Sequence, residues 1–339
     1  MTEPRFLVVR LSSLGDIVHT FPAVAALRET FPQAEISWLT HPRWNLLVES
    51  SGIASRILAG DTKSLGGLLG VVSRIRREHF DAAVDYQGLW KSAGLPFLGG
   101  VKTRIGFSSE TIREFGVPAL YTNRVKTSTA HIVEQNGELS LAAGARKGTG
   151  NVTLRVPEQF EESNRARWKQ AGLDRYIVLS PGGGWRSKSW PAERYGALCS
   201  KIYELSGIRC VINYGPGEES LAGLVQQSGG RARPLLFNED LGSLMALLRK
   251  SVFLVGGDTG PLHLAAALNT AVVAIFGPTD PARNGPVASD SSGTAKRIVL
   301  RSAKAGTTYQ RGDRTHPSLL DIPVDDVFRA TLPLLEAAA

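Results

Sequence analysis

Short apolar runs that stop at glycine or aspartate and give way to a helical stretch recur along this chain. FLVVRL leads into SSLGD, FDAAVDY into QG, YIVLS into PGGG, CVINY into GPG, and AVVAIF into GPTDP; EISWLT is a run of the same kind. Between them AVAALRETF, GGLLGVVSRIRREHF, PAERYGALCSKIYEL, EESLAGLVQQSG and GSLMALLRK carry helical patterning. Strand-like runs alternating with helices predict an α/β fold of parallel sheets covered by helices on both faces. In such sheets a site forms where the chain leaves the carboxyl ends of the strands.

The strand pattern pauses at VPEQFEESNRARWKQAG and restarts near Tyr176, which predicts two doubly wound domains facing across a cleft. The length of 339 residues accommodates both. The expected boundaries are 1–157, 158–322 and a last helix, 323–339, packing across the domain boundary. Gly99 to Arg124 is less regular and reads as functional loops. No internal repeat is strong enough to use.

Composition narrows the partners. A net charge of +8, spread along the chain without a lysine or arginine tract, points to anionic small molecules or a membrane surface rather than nucleic acid. No segment is long and apolar enough to span a bilayer, and the strand at the N-terminus leaves no room for a signal peptide. Cys199 and Cys210 lack metal-ligand spacing and read as core residues of a reducing compartment.

Several turns carry chemistry. In Ser12-Ser13-Leu14-Gly15-Asp16 the carboxylate lies after the first strand, where it fits either a helix cap or a general base; Pro22 then starts or kinks the main helix. SPGGGWRSKSWP, Ser180 to Pro191, offers Gly183, Gly184 and Lys188 to an anion, against a reading as a solvated loop. It is neither a Walker A loop nor a dinucleotide fingerprint. In GGDTGPLHLAAAL, Asp258, Thr259, Gly260 and His263 surround a helix N-terminus suited to a phosphate, against readings as a cap and a helix-surface histidine.

YGPGEES places Glu218 and Glu219 after a strand, as dipole partners or as a hold on ribose hydroxyls. Gln87, Lys91 and Arg104 read as acceptor-side donors or as ordinary surface residues. His131, opening HIVEQNGEL, reads as a ligand contact or a helix-cap histidine.

These stretches occur in the order seen in glycosyltransferase family 9: LSSLGDIVHTFPA, YQGLWKSA, RIGF, the His131 run, PGGGWRSKSWP, GPGEE, and GGDTGPLHLAAAL followed by FGPTDP. The chain resembles its heptosyltransferases of lipopolysaccharide core synthesis, most of all the heptosyltransferase I group. That resemblance implies a GT-B architecture with an N-terminal acceptor domain and a C-terminal nucleotide-sugar domain. The implied reaction moves heptose from ADP-L-glycero-D-manno-heptose to a Kdo residue of the inner core with inversion, without a metal or other cofactor. The alternative is a GT-B transferase or epimerase using another nucleotide sugar or glycan.

Carried over, Asp16 is the general base, with Ser12, Ser13, Gln87, Lys91, Arg104 and His131 on the acceptor side. Gly183, Gly184, Lys188, Asp258, Thr259, Gly260 and His263 take the diphosphate and sugar, and Glu218 or Glu219 the ribose. The implied location is peripheral, on the cytoplasmic face of the inner membrane, against an anionic lipid-linked acceptor. The segment after FGPTDP departs from the family pattern in lacking the cysteines many relatives carry there.

Overall fold

A computed structural model describes residues 3–60, 64–112, 114–287 and 296–337. These fall into two compact units divided between Arg155 and Val156.

In the first unit six strands form one sheet: β1 (Arg5–Val9), β2 (Glu35–Thr40), β3 (Arg56–Ala59), β4 (Ala82–Asp85), β5 (Thr103–Phe107) and β6 (Asn123–Val125). Its order is β3-β2-β1-β4-β5-β6, and every pairing is parallel. The helices are α1 (Leu14–Thr30), α2 (Asn45–Ser51), α3 (Leu65–Glu78), α4 (Trp90–Leu98) and α5 (Ile132–Ala142). Helix α1 is buried along most of its length against the sheet and α5. That is why DIVHTFPAVAAL shows no polar stripe. The helix starts at Leu14 with Ser13 as N-cap and runs through Pro22, so Pro22 does not start it.

The second unit repeats the plan. Its strands are β7 (Tyr176–Ser180), β8 (Arg209–Asn213), β9 (Leu235–Phe237), β10 (Phe253–Gly257), β11 (Ala271–Phe276) and β12 (Arg297–Arg301), in the order β12-β11-β10-β7-β8-β9, again all parallel. Counted from its own first strand this is the same 3-2-1-4-5-6 order as the first sheet, a structural repeat invisible in the letters. The helices are α6 (Glu158–Gln170), α7 (Ala192–Ser206), α8 (Glu219–Ser228), α9 (Leu241–Lys250), α10 (Gly260–Ala267), α11 (Pro281–Asn284), α12 (Pro317–Leu320) and α13 (Val324–Glu336).

The polar stretch at the expected boundary is helix α6, held to its unit by Asn164 Nδ2 donating to the Ser243 carbonyl at 2.8 Å and by buried Trp168. Helix α13 packs on α7 and β11. Cys199 and Cys210 are unpaired and fully buried in this core.

Both sheets reverse their strand order once, between β1 and β4 and between β7 and β10. At such a switch point the crossovers leave to opposite faces and open a crevice at the carboxyl edge. All described helices are too short or too polar to cross a membrane.

Candidate active site

The crevice of the first unit is built from the turns that follow β1 and β4. Arg10 leaves β1 buried, with only 6% of its surface exposed. Its Nη2 lies 2.8 Å from Asp16 Oδ1, and its Nη1 donates to the Tyr86 carbonyl. The Arg10 carbonyl accepts from Trp38 Nε1 at 3.3 Å. One residue on, Leu11 N donates to Gln87 Oε1 at 2.7 Å. The two turns are thus tied to each other across the switch point.

Asp16 stands in the first turn of α1. Its Oδ2 accepts from the backbone N of Ser13 at 3.1 Å and from Ser13 Oγ at 2.8 Å, which closes a reciprocal N-terminal cap. The side chain remains 45% exposed. Burial alone would raise its carboxyl; the Arg10 guanidinium and the Ser13 donors outweigh burial and hold it at about 2. The carboxylate is therefore ionised at every neutral pH.

Behind this turn Asp85, at the end of β4, is almost fully buried. It accepts from Tyr121 Oη at 2.7 Å, Ser92 Oγ at 2.8 Å and the backbone N of Gln87 at 2.9 Å and of Gly88 at 3.3 Å. Burial still leaves its carboxyl raised.

The other first-unit residues are placed unevenly. Ser12 is exposed beside Ser13, and Lys91 is exposed in the first turn of α4. The Gln87 acceptor oxygen is committed to Leu11. His131 caps α5 through Nδ1, which accepts from Val133 N at 3.2 Å, and its ring meets His19 of α1 edge-on at 5.9 Å. Arg104 is not brought to this crevice. It lies near the start of β5, donates to the carbonyls of Leu120, Val101 and Lys102, and stacks on Phe97 at 5.3 Å.

In the second unit the crevice lies between the turns after β7 and β10. Lys188 Nζ donates to Asp258 Oδ2 at 2.7 Å and to the Asp258 carbonyl at 3.2 Å. His263 Nε2 lies 3.1 Å from Asp258 Oδ1. All three side chains are largely buried. Burial pushes the Asp258 carboxyl up, but His263 and Lys188 outweigh it and hold it far below the usual carboxylate range.

Thr259 is the N-cap residue of α10, so the free amides of its first turn begin one residue after Asp258. Thr259 Oγ1 is buried with no hydrogen-bond partner among the described residues.

The glycine turn shapes the rest. Gly184 adopts φ +68°, which only glycine takes at little cost, and turns the chain between Gly183 and Trp185. At Gly182 a Cβ would lie 2.2 Å from the Glu218 carboxylate, so Glu218 rests directly on this turn. Glu218 Oε2 also accepts from Gly215 N at 2.9 Å. Glu219 is exposed and accepts from Gly217 N. The turn is anchored by Trp190, fully buried, whose Nε1 donates to the Ile322 carbonyl at 3.0 Å.

Sequence reasoning missed three contributors. Arg10 reads as the polar end of a strand, although a cation flanked by FLVV and Leu11 signals a buried partner. Trp185 and Arg311 form a stack with the lysine: Lys188 Nζ lies 4.6 Å and Arg311 Cζ 5.4 Å from the Trp185 ring. Ser187 Oγ accepts from Gly312 N at 3.3 Å, which fixes the Arg311 segment to the turn. No motif marks Arg311, because it belongs to the polar segment after FGPTDP; residues 288–295 of that segment lie outside the described residues.

Two all-parallel sheets of this order, each with a polar crevice at its switch point, define the architecture of GT-B glycosyltransferases. Residues 69–309 match glycosyltransferase family 9 (heptosyltransferase), and the chain belongs to that family. It is 28% identical over 297 residues to lipopolysaccharide heptosyltransferase 1 of Escherichia coli K12, covering 82% of this chain and 89% of that protein. It is 24% identical over 337 residues to lipopolysaccharide heptosyltransferase 3 of the same strain, covering 95% of each. The solved structure of Escherichia coli ADP-heptose lipopolysaccharide heptosyltransferase II superposes with a TM-score of 0.82 at 20% identity, over 98% of this chain and 99% of that one. The protein is thus an enzyme, a glycosyltransferase of the heptosyltransferase family.

Proposed function

We propose that this enzyme transfers heptose from ADP-L-glycero-D-manno-heptose to a Kdo residue of the lipopolysaccharide inner core, on Kdo-lipid A, with inversion at the anomeric carbon. The first unit, taken as 1–157, holds the acceptor and the second, 158–322, holds the donor. Family membership and the names of the lipopolysaccharide heptosyltransferase relatives support heptosyl transfer in lipopolysaccharide synthesis; the Kdo acceptor rests on the resemblance of LSSLGD and QGLWKSA to the heptosyltransferase I group. The single observation that carries the assignment of roles is the Lys188–Asp258 pair at the mouth of α10.

The donor is a substrate rather than a resident cofactor. As its bond breaks, negative charge collects on the ADP diphosphate. Lys188, the amides of Gly183 and Gly184 and the N-terminus of α10 are fixed donors facing the charge where it develops. Asp258 and His263 set the position of the ammonium, and Thr259 Oγ1 supplies a further unused donor. Glu218, resting on the same turn, takes the ribose hydroxyls; exposed Glu219 is the weaker candidate.

In the acceptor step a hydroxyl oxygen attacks the anomeric carbon, the carbon–phosphate oxygen bond breaks toward ADP, and the hydroxyl proton passes to Asp16. A carboxylate held at about 2 is a weak base. It suffices when the proton leaves late, after the new bond has made the acceptor oxygen strongly acidic. Ser12, Ser13, Gln87, Lys91 and His131 line the acceptor side, and the acceptor's lipid keeps the enzyme peripheral on the cytoplasmic face of the inner membrane. No step requires a bound metal, because fixed cations and amides carry the diphosphate charge.

A second reading has one observation behind it. The heptosyltransferase 3 relative aligns over 95% of both chains, so a paralogous transfer to another glycan acceptor, represented in the test by a heptosylated core, is the competing assignment. The test is transfer from ADP-heptose to Kdo-lipid A and, separately, to a heptosylated core, followed by mass spectrometry. Product only on the heptosylated acceptor overturns the Kdo assignment; ADP binding without product on either overturns the donor sugar as well.

A further inference from the structure

Helix α4 is apolar on both sides. Its inward residues Ala93, Leu95 and Pro96 are buried in the usual way. Its outward residues recur at i, i+4, i+7 and i+8 as Trp90, Gly94, Phe97 and Leu98, and Trp90, Phe97 and Leu98 are 52%, 46% and 55% exposed. A helix at a water-facing surface ordinarily carries charge there.

The apolar surface continues on both flanks. Helix α3 packs on α4, and Arg76 Nε donates to the Leu98 carbonyl at 3.0 Å. Leu69 lies two turns before Arg76 on the same helix face and is 61% exposed. At the other end Phe115 is almost wholly exposed, next to Gly116, where a Cβ would lie 2.9 Å from the Trp90 ring. Large apolar side chains exposed together on neighbouring elements mark an interaction site.

Basic charges outnumber acidic ones around it. Arg76 and Arg77 close α3 and Lys91 opens α4, all exposed. The neighbouring carboxylates are engaged: Glu78 pairs with Arg56 at 3.3 Å, and Glu114 accepts from Trp90 N at 2.7 Å.

We infer that the face formed by α3 and α4 docks the first unit onto a bilayer bearing anionic headgroups. Aromatic and leucine side chains inserted at the acyl boundary, with arginine and lysine reaching back to phosphates, are the chemistry of an interfacial helix. A second copy of the chain is the poorer occupant. A two-fold contact is isologous, so it would bring one mainly basic face against another.

Position supports the same partner. Trp90 opens α4 three residues after Gln87, which braces the turn carrying Arg10 and Asp16, so the face begins beside the candidate acceptor crevice. This last point rests on reading the first unit as the acceptor unit; the surface itself does not.

The test is flotation of the full chain with phosphatidylethanolamine–phosphatidylglycerol vesicles against pure phosphatidylcholine vesicles. The expected result is binding to the anionic vesicles, weakened by salt, and reduced at least about tenfold in the L69S/F97S/L98S variant. Transfer to a fully deacylated, water-soluble acceptor should be unchanged in that variant. If the triple variant misfolds, R76Q/R77Q decides, with weaker binding to anionic vesicles as the expected result.

Failure of the wild type to float, or equal flotation of the folded variants, overturns the proposal. So does a wild-type dimer that the triple variant converts to monomer with flotation unchanged. Vesicle binding without any transfer to the soluble acceptor would leave the docking face standing and overturn the acceptor assignment instead.

Discussion

Lys188 and Asp258 meet across the switch point of the second sheet, Nζ to Oδ2 at 2.7 Å, one from the turn after β7 and the other from the turn after β10. The pair fixes an ammonium at the mouth of α10 before any substrate arrives. Donors held in place in this way act on developing charge without reorganising.

Replacing Lys188 by alanine is expected to lower kcat/KM by about 10²- to 10³-fold, the usual cost of removing one preorganised charge donor. Lys188→Arg should recover only part of this, because the site is built around a single nitrogen that donates to both Asp258 Oδ2 and the Asp258 carbonyl, and a forked guanidinium places its donors differently. Calorimetric ADP titration beside the transfer assay checks it. Unchanged ADP affinity in Lys188→Ala would remove the lysine from the diphosphate site.

Asp16→Asn is expected to keep ADP affinity and to lose about 10²- to 10⁴-fold in kcat, the range for a positioned base. Arg10→Met tests what tunes that base. With the guanidinium gone, burial acts with less opposition and the carboxyl rises from about 2. The acid limb of the pH–rate profile should then move to higher pH, with ADP binding unaffected. The stability term has the opposite reach: a depressed carboxyl stabilises above its unfolded value and loses that contribution as pH falls from about 4 toward 2. With the side chain nearly half exposed this contribution is small, so the kinetic shift is the measurement that decides.

The central strands were legible because they are buried on both faces and read as unbroken apolar runs. The strands that escaped are chiefly edges. Arg56–Ala59, Asn123–Val125, Leu235–Phe237 and Arg297–Arg301 end the two sheets, and an edge strand is short and partly wet, so its letters resemble a loop. Thr103–Phe107, an inner strand, was also missed, as its exposed Thr103 and half-buried Arg104 broke the apolar pattern. In the site, motif spacing brought out Lys188, Asp258 and His263, which share one carboxylate. Arg10 stayed hidden because its partner lies six residues on, across a turn whose geometry the letters do not carry.

Cys199 and Cys210 offer a check on the second core. Both are fully buried, and the Cys199 thiol together with burial pushes the Cys210 thiol well above its ordinary value. A raised, inaccessible thiol is unreactive. The native chain should therefore not react with Ellman's reagent over minutes, and both thiols should titrate once denaturant unfolds the second unit. Fast labelling of either in the native state would show that this core opens.

Asp85 carries the last prediction. Four donors converge on this carboxyl, and two of them, the amides of Gln87 and Gly88, shape the turn whose Gln87 side chain holds Leu11. Asp85→Ala leaves the buried Tyr121 hydroxyl without this acceptor and turns Ser92 Oγ to the Leu89 carbonyl at 3.0 Å, at a cost on the order of 2–4 kcal/mol in denaturant unfolding. It also frees the turn that braces Arg10, so kcat should fall although Asp85 touches no substrate. Asp85→Asn keeps an acceptor oxygen and removes the buried charge, and should cost less. Burial raises this carboxyl, so its contribution is fully present below the unfolded value and is lost as pH rises through the folded one. Stability measured against pH should therefore decline less toward neutrality in Asp85→Asn than in the wild type. Equal pH slopes would show that the four donors fully compensate the buried charge.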